Sequence, residues 1–438
     1  MVQKAEARVL RRLNKIIMHV LFIHDAFPAQ FGRLALELTK RYGWKCSFLV
    51  EDLSRCPTPT PEMLQQLDIQ KLPLSDDLRK NREIPWAQVY GRYLESCRAV
   101  YEAVRARPDG RPDLVVAHGG RGAPTLFLPE VLDCPIINYC EYYFAPSRRD
   151  ISYRVDLPLV DPSQFYPRCI NAMTLVSLVD CRAGYSPTRW QRETFPKRFW
   201  PKIEVHFDGI DTELYRLHPV ARVVAGKTIP ADTRVVTFVA RGLESMRGFD
   251  QFMQLADRVG REVRDVIFIV VGGEEIYYGW DKLHTGQPSF KKWVLSQGQY
   301  DLDKFIFLNY VEPSVLSDIL CLSDLHVYLT VPFVLSWSFF DALACGRVVL
   351  ASDVAPVLEV IEPDKNGLVA PMFDMDVFCE KALQVLKNPG EFQALGEAAR
   401  ALMETHYSID ACVSPLKDYF ERAASALPRS DAIPSVGN

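Results

Sequence analysis

The chain has 438 residues, with 51 basic and 55 acidic side chains and a formal net charge of -4. Such a balance lacks the basic surface that nucleic-acid binding requires, so no nucleic-acid partner is expected. Hydrophobic residues make up 48% of the chain and charged residues 24%, which excludes a disordered, collagen-like or coiled-coil protein. The length predicts two or three globular domains.

Three features of the sequence bear on the cellular compartment of the protein and on its contact with membranes. Eleven cysteines are scattered through apolar contexts without C-x-x-C spacing, which indicates a reducing, cytosolic compartment. The longest stretch without Asp, Glu, Lys or Arg, 325–340, is shorter than the roughly 20 residues of a membrane-spanning helix. The basic stretch from Lys4 to Lys15 suits peripheral contact with anionic lipid, and an ordinary solvated leader explains it as well.

The first half of the chain alternates between apolar strands and helical patterns. A strand, a turn with Pro28 and Gly32, a helix and a second strand form a β-α-β unit. A later strand enters a glycine-rich turn at 119–122. Strands separated by helices imply a parallel sheet covered on both faces. The predicted elements are strands 16–24, 46–50, 113–118 and 135–139 and a helix over 33–42.

The second half repeats this alternation after a polar, proline-bearing linker at 217–232. We therefore expect an α/β fold with two facing, doubly wound parallel sheets and a ligand cleft at the carboxyl ends of their strands. The expected domains are 1–216, with a leader at 1–15, then 217–405, then a helix and tail at 406–438 that could return to the first domain. The predicted elements are strands 234–240, 266–271, 305–308, 325–329 and 348–351 and helices 249–261, 339–344 and 415–426.

A run of charged and small residues, 241–248, follows the first strand of the second series. Arg241 and Arg247 would there face the N-terminus of the next helix, where a bound anion is favoured. Arginine adds paired N–H donors that match phosphate oxygens. The alternative, two solvated surface charges, is weakened by the position at the carboxyl end of a strand.

The segment 331–346 is the most informative part of the chain. A turn of small and apolar residues enters a helix there and presents free backbone N–H groups. Asp341 lies about one turn into the helix and can accept hydrogen bonds from sugar hydroxyls. A buried helix with one capping or core-paired acid explains the same pattern.

Three places in the first half carry candidate site residues. His118 closes a strand at a glycine turn, from which an imidazole can project into a cleft, although a lone strand-end histidine is more often structural. The first loop contains Phe27, Gln30 and Gly32, where a backbone could approach a phosphate, and a plain turn explains them about as well. Glu141 lies among tyrosines just past another strand, which suits a carbohydrate platform or a polar rim equally.

Two segments copy the metal-binding D-x-D motif of nucleotide-sugar enzymes, Asp301 to Asp303 and Asp374 to Asp376. Both precede predicted helices, where aspartate is the expected N-cap, so no metal is inferred. Neither first strand is followed by G-x-G-x-x-G, and the chain has no P-loop sequence. The main sequence evidence for a dinucleotide oxidoreductase or a P-loop enzyme is therefore missing.

Several motifs, taken together and in order, resemble those of the family-4 retaining glycosyltransferases. The similarity extends over nearly the whole chain. It implies two facing Rossmann-like domains, the GT-B fold, with a nucleoside-diphosphate sugar bound mainly by the second domain and the acceptor by the first. The motifs are residues 186–191, 206–211, 241–248 and 339–346, and then 351–353 followed by 359–361 and 366–369.

The resemblance also implies roles for single residues. Arg241 matches the arginine of the family's phosphate pair, and Arg247 falls at its lysine with the spacing one residue longer. Both would neutralise the departing diphosphate, which serves where other folds use a metal. Gly32 matches a glycine beside the phosphates, His118 a cleft histidine near the sugar and acceptor, and Val311 a residue whose backbone touches the base.

The chain departs from the family at one of two paired glutamates, which should lie eight residues apart at Phe333 and Asp341. Asp341 can still hold ribose hydroxyls, whereas Phe333 cannot hydrogen-bond a hexose, so the donor sugar must be held differently. The segment P-F-V-L-S-W-S is a feature of one branch of the family. Catalytic roles are expected for His118, Arg241 and Arg247. The expected donor-binding residues are Gly32, Arg241, Arg247, Val311, Val334, Leu335, Ser336 and Asp341. The expected acceptor-binding residues are Phe27, Gln30, His118 and Glu141.

The resemblance implies a metal-independent retaining glycosyltransferase without a cofactor, acting on a glycan, lipid-linked, protein or small-molecule acceptor. The cysteine pattern adds the expectation that it is cytosolic. Phe333 motivates a second hypothesis, a catalytically weakened relative that binds nucleotide or glycan as a partner subunit. A nicotinamide oxidoreductase would also have two such sheets, but the glycine fingerprint is missing. A hinged binding module would close on its ligand without turnover.

Overall fold

The computed structural model describes residues 17–53, 58–73, 86–107, 111–118, 125–144, 150, 153–157 and 166–425. Two predicted features, the basic stretch 4–15 and the glycine-rich turn 119–122, lie outside these residues, as does the tail from 426. Within the described ranges, no helix combines the length and the apolar character needed to cross a membrane.

The first half of the chain forms a seven-stranded sheet in which every pair of neighbours is parallel. Its strands are β1 (His19–Ala26), β2 (Lys45–Asp52), β3 (Asp68–Lys71), β4 (Leu114–His118), β5 (Ile136–Tyr139), β6 (Ala183–Ser186) and β7 (Ile203–Val205). Their order is β3-β2-β1-β4-β5-β6-β7, so the winding direction reverses between β1 and β4. The helices are α1 (Phe31–Tyr42), α2 (Pro61–Gln66), α3 (Trp86–Arg105), α4 (Tyr166–Asp180) and α5 (Arg189–Thr194).

The second half forms a six-stranded parallel sheet after a short hairpin of β8 (Val223–Val224) and β9 (Lys227–Thr228). Its strands are β10 (Arg234–Gly242), β11 (Val266–Gly273), β12 (Phe305–Leu308), β13 (Leu325–Tyr328), β14 (Val349–Ser352) and β15 (Leu368–Ala370). Their order is β12-β11-β10-β13-β14-β15, which again reverses, here between β10 and β13. Both sheets thus have the doubly wound order of Rossmann-like domains.

Helices of the second half cover this sheet and then lead back to the first one. They are α6 (Phe249–Glu262), α7 (Asp281–Thr285), α8 (Phe290–Gln297), α9 (Pro313–Leu322), α10 (Trp337–Ala344), α11 (Ala355–Leu358), α12 (Met375–Lys387), α13 (Gln393–Leu402) and α14 (Ile409–Ser425).

The chain passes between the two sheets twice, and the two crossings lie side by side. The Ile210 amide donates to Tyr407 O at 2.7 Å, and the Ile409 amide donates to Ile210 O at 2.9 Å. Gly209 has a φ of +88°, and a Cβ there would lie 2.8 Å from Ile409, so only glycine fits the crossing. After it, α14 packs on the first sheet, where the Tyr419 hydroxyl donates to Gly184 O at 2.8 Å.

Every strand predicted from the sequence is present, with ends within three residues of those expected. The predicted start of the last helix is wrong, because α14 begins at Ile409 and contains Pro415 in its interior. Proline is favoured in a first helical turn, which is why the pattern placed the start there. Among the elements that were not predicted are helices α3 and α4, the interior strand β6 and the short edge strands β3, β7 and β15.

Candidate active site

Both sheets place the candidate residues at the point where their strand order reverses. Such switch points open a crevice at the carboxyl ends of the strands, where ligands of doubly wound sheets bind. In the first sheet, β1 ends near His24 and the neighbouring β4 ends at His118. In the second sheet, β10 ends near Arg241 and β13 leads into the loop before α10, which carries Asp341.

The first loop, between β1 and α1, is explained largely by its own packing. Gly32 is buried, its amide donates to Pro28 O at 2.8 Å, and a Cβ there would lie 2.3 Å from the Pro28 Cβ. The turn therefore requires glycine and already uses this amide. Phe27 is fully buried and packs edge-on against Phe48, with ring centroids 4.9 Å apart. The Phe27 ring thus belongs to the core of the first sheet, and its expected contact with an acceptor stays a prediction.

Gln30 does face the cleft side of the first sheet, in a chain of hydrogen bonds. Its amide nitrogen donates to Glu141 Oε1 at 3.0 Å, and its Oε1 lies 2.8 Å from Nε2 of His24. The other carboxylate oxygen of Glu141 lies 3.5 Å from Nε2 of His118. The structure therefore brings together the predicted residues Gln30, His118 and Glu141, and adds His24, which the sequence had marked only as a strand end.

The charges around this group favour an imidazolium at His118. Burial by itself lowers the pKa of His118, but Glu141, Asp25 and Asp208 raise it, and the net shift is upward. The pKa of Glu141 is raised by burial and lowered more strongly by His118 and His24, so it falls below its usual value. Burial raises the pKa of Asp208 to about 7, although the Tyr139 hydroxyl donates to its Oδ2 at 2.8 Å and lowers it.

On the second sheet, Arg241 is exposed at the carboxyl end of β10. Its guanidinium carbon lies 4.1 Å from the centroid of the Tyr277 ring, a stacking distance. An exposed guanidinium over an aromatic ring can still present N–H donors to an anion.

Arg247 differs from Arg241 in being buried. Its Nη1 donates to the hydroxyls of Tyr328 at 3.2 Å and Thr330 at 3.1 Å, and its Nη2 donates to Val334 O at 2.9 Å. Its guanidinium carbon also lies 5.4 Å from the centroid of the Tyr278 ring. Among the described residues no carboxylate forms a direct ion pair with it, although Glu244 lies near enough for its pKa to be lowered by Arg247.

Glu244, between the two arginines, fixes the loop that carries both tyrosines. It is fully buried, and its Oε2 accepts the amides of Tyr277 at 2.8 Å, Tyr278 at 3.0 Å and Gly279 at 3.4 Å. Burial raises the pKa of Glu244 to about 7, against a smaller lowering by the Tyr278 amide. No role was expected for this acid, because only the arginines of the run 241–248 suggested a ligand.

Phe333 lies in an aromatic cluster that joins the two halves of the chain. Its ring centroid is 4.9 Å from that of Tyr142, which follows β5, and 5.2 Å from that of Tyr278. The Arg247 guanidinium carbon lies 5.6 Å from the Phe333 ring centroid, and the ring is only 5% exposed. At the position where the resemblance led us to expect a glutamate, this chain thus has a buried aromatic ring in contact with both halves of the chain.

Asp341 lies on α10 and is 6% exposed. Burial raises its pKa well above the usual value, while Arg33 lowers it and Asp211 raises it further. No hydrogen bond to its carboxylate is present in the described part of the chain. Arg33 in turn pairs with Asp211, with Nη1 and Oδ2 2.6 Å apart. An acid in this state can accept hydroxyl donors from a ligand.

The remaining predicted donor contacts are backbone groups. The Ser336 amide already donates to the Tyr328 hydroxyl at 2.9 Å, whereas the amides of Val334 and Leu335 have no acceptor among the described residues. Val311 is half-buried in the loop between β12 and α9, at the same edge of the sheet as Arg241.

One of the two D-x-D segments behaves as predicted. Asp374 caps α12, because its Oδ1 accepts the Val377 amide at 3.1 Å. The prediction is wrong for Asp301, which precedes a single 3-10 turn and makes no side-chain cap. Within the described ranges, no group of three or more His, Cys, Asp or Glu side chains is arranged to hold a metal ion.

Comparison with known proteins identifies the class to which this fold and site belong. Residues 59–215 match the family model "Glycosyl transferase family 4 group", and residues 223–402 match "Glycosyl transferases group 1". Together the two models cover more than three quarters of the chain. The chain belongs to the family-4 glycosyltransferases with the GT-B fold, and it is a glycosyltransferase.

Individual relatives are distant. Spore coat protein SA of Bacillus subtilis (strain 168) is 22% identical over 196 residues, which are 43% of this chain and 49% of that protein. The match thus spans about half the length of this curated relative.

Solved structures share the fold over nearly the whole chain. Sucrose-phosphate synthase from Thermosynechococcus elongatus superposes with a TM-score of 0.66 at 14% identity, covering 92% of this chain and 98% of that one. Anabaena HepE in complex with UDP and glucose has a TM-score of 0.65 at 12% identity, covering 92% of this chain and all of that one (100%). At such identities the likeness concerns the fold.

Proposed function

We propose that this glycosyltransferase moves a sugar from a nucleoside-diphosphate sugar to a hydroxyl acceptor with retention at the anomeric carbon, and that it does so without a metal ion. One arrangement carries the proposal: Arg241, Arg247 and Asp341 surround the switch point of the second sheet. This combines two cations and one hydroxyl-accepting acid, which a diphosphate and a ribose require. HepE was solved with UDP and glucose, which supports the same donor class here.

The two arginines have different tasks in this proposal. Arg241, exposed and stacked on Tyr277, contacts the diphosphate directly. Arg247 is already bonded to Tyr328, Thr330 and the Val334 carbonyl, so it holds the loop before α10 and adds positive charge from behind it. Charge on the diphosphate grows as the glycosidic bond breaks, so both stabilise the transition state more than the ground state.

The donor sugar lies near Phe333 but is held by other groups. A phenyl ring can pack against a sugar face and cannot replace the hydrogen bonds of a glutamate. The amides of Val334 and Leu335 are available for sugar hydroxyls. Retention requires the acceptor to attack on the face that the leaving phosphate occupies, and His118 of the first sheet lies on the acceptor's side in this scheme.

The acceptor itself is a hydroxyl-bearing glycan, lipid-linked sugar, protein or small metabolite, and the enzyme works in the cytoplasm. A peripheral membrane contact through residues 4–15 would serve a lipid-linked acceptor, because glycan acceptors are often membrane-bound.

A thermal-shift panel tests the donor class. The full chain is heated with UDP, GDP, dTDP, ADP, CMP or NAD, each with and without magnesium. A ligand at 100 times its dissociation constant adds about 2.7 kcal/mol of stability, which corresponds to a shift of several degrees. We expect a magnesium-independent shift with one nucleoside diphosphate, which is lost in Arg241→Ala. Arg234→Ala, at the opposite end of the same strand, is the matched control and should keep the shift.

The nucleotide that binds then names the base for a screen of its sugars, in which transfer and donor hydrolysis are followed. A shift only in magnesium would contradict the metal-free mechanism. A shift with NAD alone, or with no nucleotide, would contradict the donor class. Tight nucleotide binding without transfer or hydrolysis of any donor would favour the weakened relative.

A further inference from the structure

At the switch point of the first sheet, hydrogen bonds join His24, Gln30 and Glu141. Acceptor binding alone does not explain why these three groups are bonded to one another. Glu141 has both carboxylate oxygens engaged, one by Gln30 at 3.0 Å and one facing His118 at 3.5 Å. Each carboxylate oxygen has a second lone pair, so these contacts do not exclude a ligand, but they are enough to fix the position of the carboxylate.

The Glu141 end of this hydrogen-bonded series sets the orientation of the Gln30 amide. The Glu141 carboxylate requires a donor, so the Gln30 amide must turn its NH₂ group toward it and its oxygen toward His24. The oxygen of Gln30 in turn requires a proton on Nε2 of His24, 2.8 Å away. At the other end, Nδ1 of His24 lies 2.9 Å from the Ala26 amide and 2.9 Å from Oδ1 of Asp25. The requirement for a proton on Nε2 therefore comes from Gln30, and Asp25 places a second carboxylate beside the same ring.

Three acids from different elements lie around His118. Glu141 follows β5, Asp25 lies at the end of β1, and Asp208 follows β7. The other titratable neighbours are two rings: His24, with its centroid 4.5 Å from that of His118, and Tyr139 at 5.1 Å. The side chain of His118 is 11% exposed, so these charges act through little water.

We propose that His118 works in the cleft as an imidazolium cation, that Glu141 is its counter-ion, and that Gln30 and His24 are positioning residues that hold this counter-ion in place. A charged imidazole cannot remove the proton of the acceptor hydroxyl. It instead places positive charge near oxygens that gain negative charge as the donor breaks down. This inference rests on the proposed function for the role of the cation, but the ionic state of His118 is independent of it.

Histidine titration by NMR on the full chain tests the ionic state without any turnover. The protein is labelled at its histidine rings, and His118→Gln identifies the His118 signal. We expect the wild-type His118 signal to titrate above the ordinary histidine pKa of about 6.5. Glu141→Gln should lower that value by about one unit or more, as expected for loss of an opposite charge at this range. Glu141→Asp keeps the charge and should restore much of the shift.

The positioning role of His24 has its own pair of variants. His24→Leu cannot donate to Gln30 and should lower the His118 pKa, whereas His24→Gln carries an N–H donor and should preserve it. Asp318→Asn is the matched control, because it removes a carboxylate 2.8 Å from another histidine, His218, far along the chain, and should leave His118 unchanged. Circular dichroism of each variant confirms that it is folded.

The inference is overturned if wild-type His118 titrates at or below the ordinary value, or if Glu141→Gln leaves its titration unchanged. Equal behaviour of His24→Leu and wild type would overturn the positioning role. Sugar-transfer assays distinguish a failure of this inference about His118 from a failure of the proposed function. If the enzyme transfers sugar, the alkaline limb of the kcat/KM profile should move to lower pH in Glu141→Gln. If no donor is used, the proposed function fails while the titration still decides the counter-ion.

Discussion

Arg154 and Asp250 form a two-pronged ion pair between the two halves of the chain. Nη1 of Arg154 donates to Oδ1 at 3.0 Å and Nη2 to Oδ2 at 2.6 Å. Arg154 also donates to Ser245 O at 2.9 Å and to both carboxylate oxygens of Asp156, so that its guanidinium makes five hydrogen bonds. Asp250 and Ser245 flank Arg247, so this pair ties the segment after β5 to the candidate phosphate site.

Breaking that pair should destabilise the protein strongly. Arg154→Met leaves the mostly buried Asp250 without its counter-ion, and loss of one partner of a buried pair costs about 3 to 5 kcal/mol. Chemical denaturation measures the free energy of unfolding. Arg258→Met is the matched control, since Arg258 pairs with Asp376 at the surface and should contribute about 0 to 1 kcal/mol. Equal effects of both substitutions would contradict the role of Arg154.

The contact between Phe333 and Tyr142 should appear as a coupling energy. A double-mutant cycle with Phe333→Leu and Tyr142→Leu is expected to give about 0.5 to 1.5 kcal/mol, the range for edge-on aromatic pairs. Unfolding free energies of the four proteins measure it. Phe333→Leu combined with Phe22→Leu, in the core of the first sheet, should be additive. Additivity of the first pair as well would mean that the two rings do not support each other across the cleft.

Arg241→Ala should lower kcat/KM about tenfold or more. The estimate takes about 1.5 to 3 kcal/mol for one charge-assisted hydrogen bond to the diphosphate. Tyr277→Leu removes the ring on which Arg241 stacks and should give a smaller loss, while Tyr277→Phe keeps the ring and should resemble wild type. Steady-state kinetics with the donor found by the thermal-shift panel measure all three. Unchanged turnover of Arg241→Ala would remove it from the site.

Nucleotide binding should release a proton from Asp341. Burial holds the pKa of this acid well above its usual value in the free protein. Ribose hydroxyls that donate to the carboxylate favour its ionised form, so they lower the pKa and expel the proton. Calorimetric titrations in two buffers of different ionisation enthalpy give the number of protons released. Asp341→Asn should abolish the buffer dependence, and a buffer dependence that persists in this variant would assign the proton to another group.

Asp208 should make the protein less stable as the pH rises. Its folded pKa of about 7 exceeds the usual value of 3.8, because burial favours the neutral acid. The folded state therefore binds the proton more tightly, and this contribution is complete below about pH 4 and is lost as the pH rises through about 7. At its steepest the loss is about 1.4 kcal/mol per pH unit. Denaturation between pH 4 and 8 should show a flatter profile in Asp208→Asn but not in Asp318→Asn.

The strands and their order along the chain could be predicted because buried parallel strands are continuous apolar runs. Residues 266–271 are an example, since both faces of β11 are covered. The edge strand β3, Asp68–Lys71, has no such run, because two of its four residues are exposed. Helix α3 was not predicted, although its apolar residues recur at helical spacing. Local patterns therefore predicted the interior of each sheet better than its margins.

The location of candidate residues at strand ends could be predicted from the sequence, but the burial and bonding partners of their side chains could not. Arg241 and Arg247 are both arginines of the same short run. Arg241 is exposed, whereas Arg247 is buried and donates three hydrogen bonds to other groups of the protein. Phe27 has the same position in its loop as a ligand contact would have, but its ring faces the core. Burial and partner choice depend on segments far away in the sequence, which local patterns do not contain.

The sequence by itself determined the two doubly wound sheets, the family, and the strand ends at which a ligand would bind, because each depends on residue types at short spacing. Only the tertiary structure decided which groups meet. It joined Gln30 to Glu141, 111 residues apart, and Arg154 to Asp250, 96 residues apart. Charges and hydrogen bonds act over a few ångströms in space, so the ionic state of His118 and the engagement of Arg247 are properties of the folded chain.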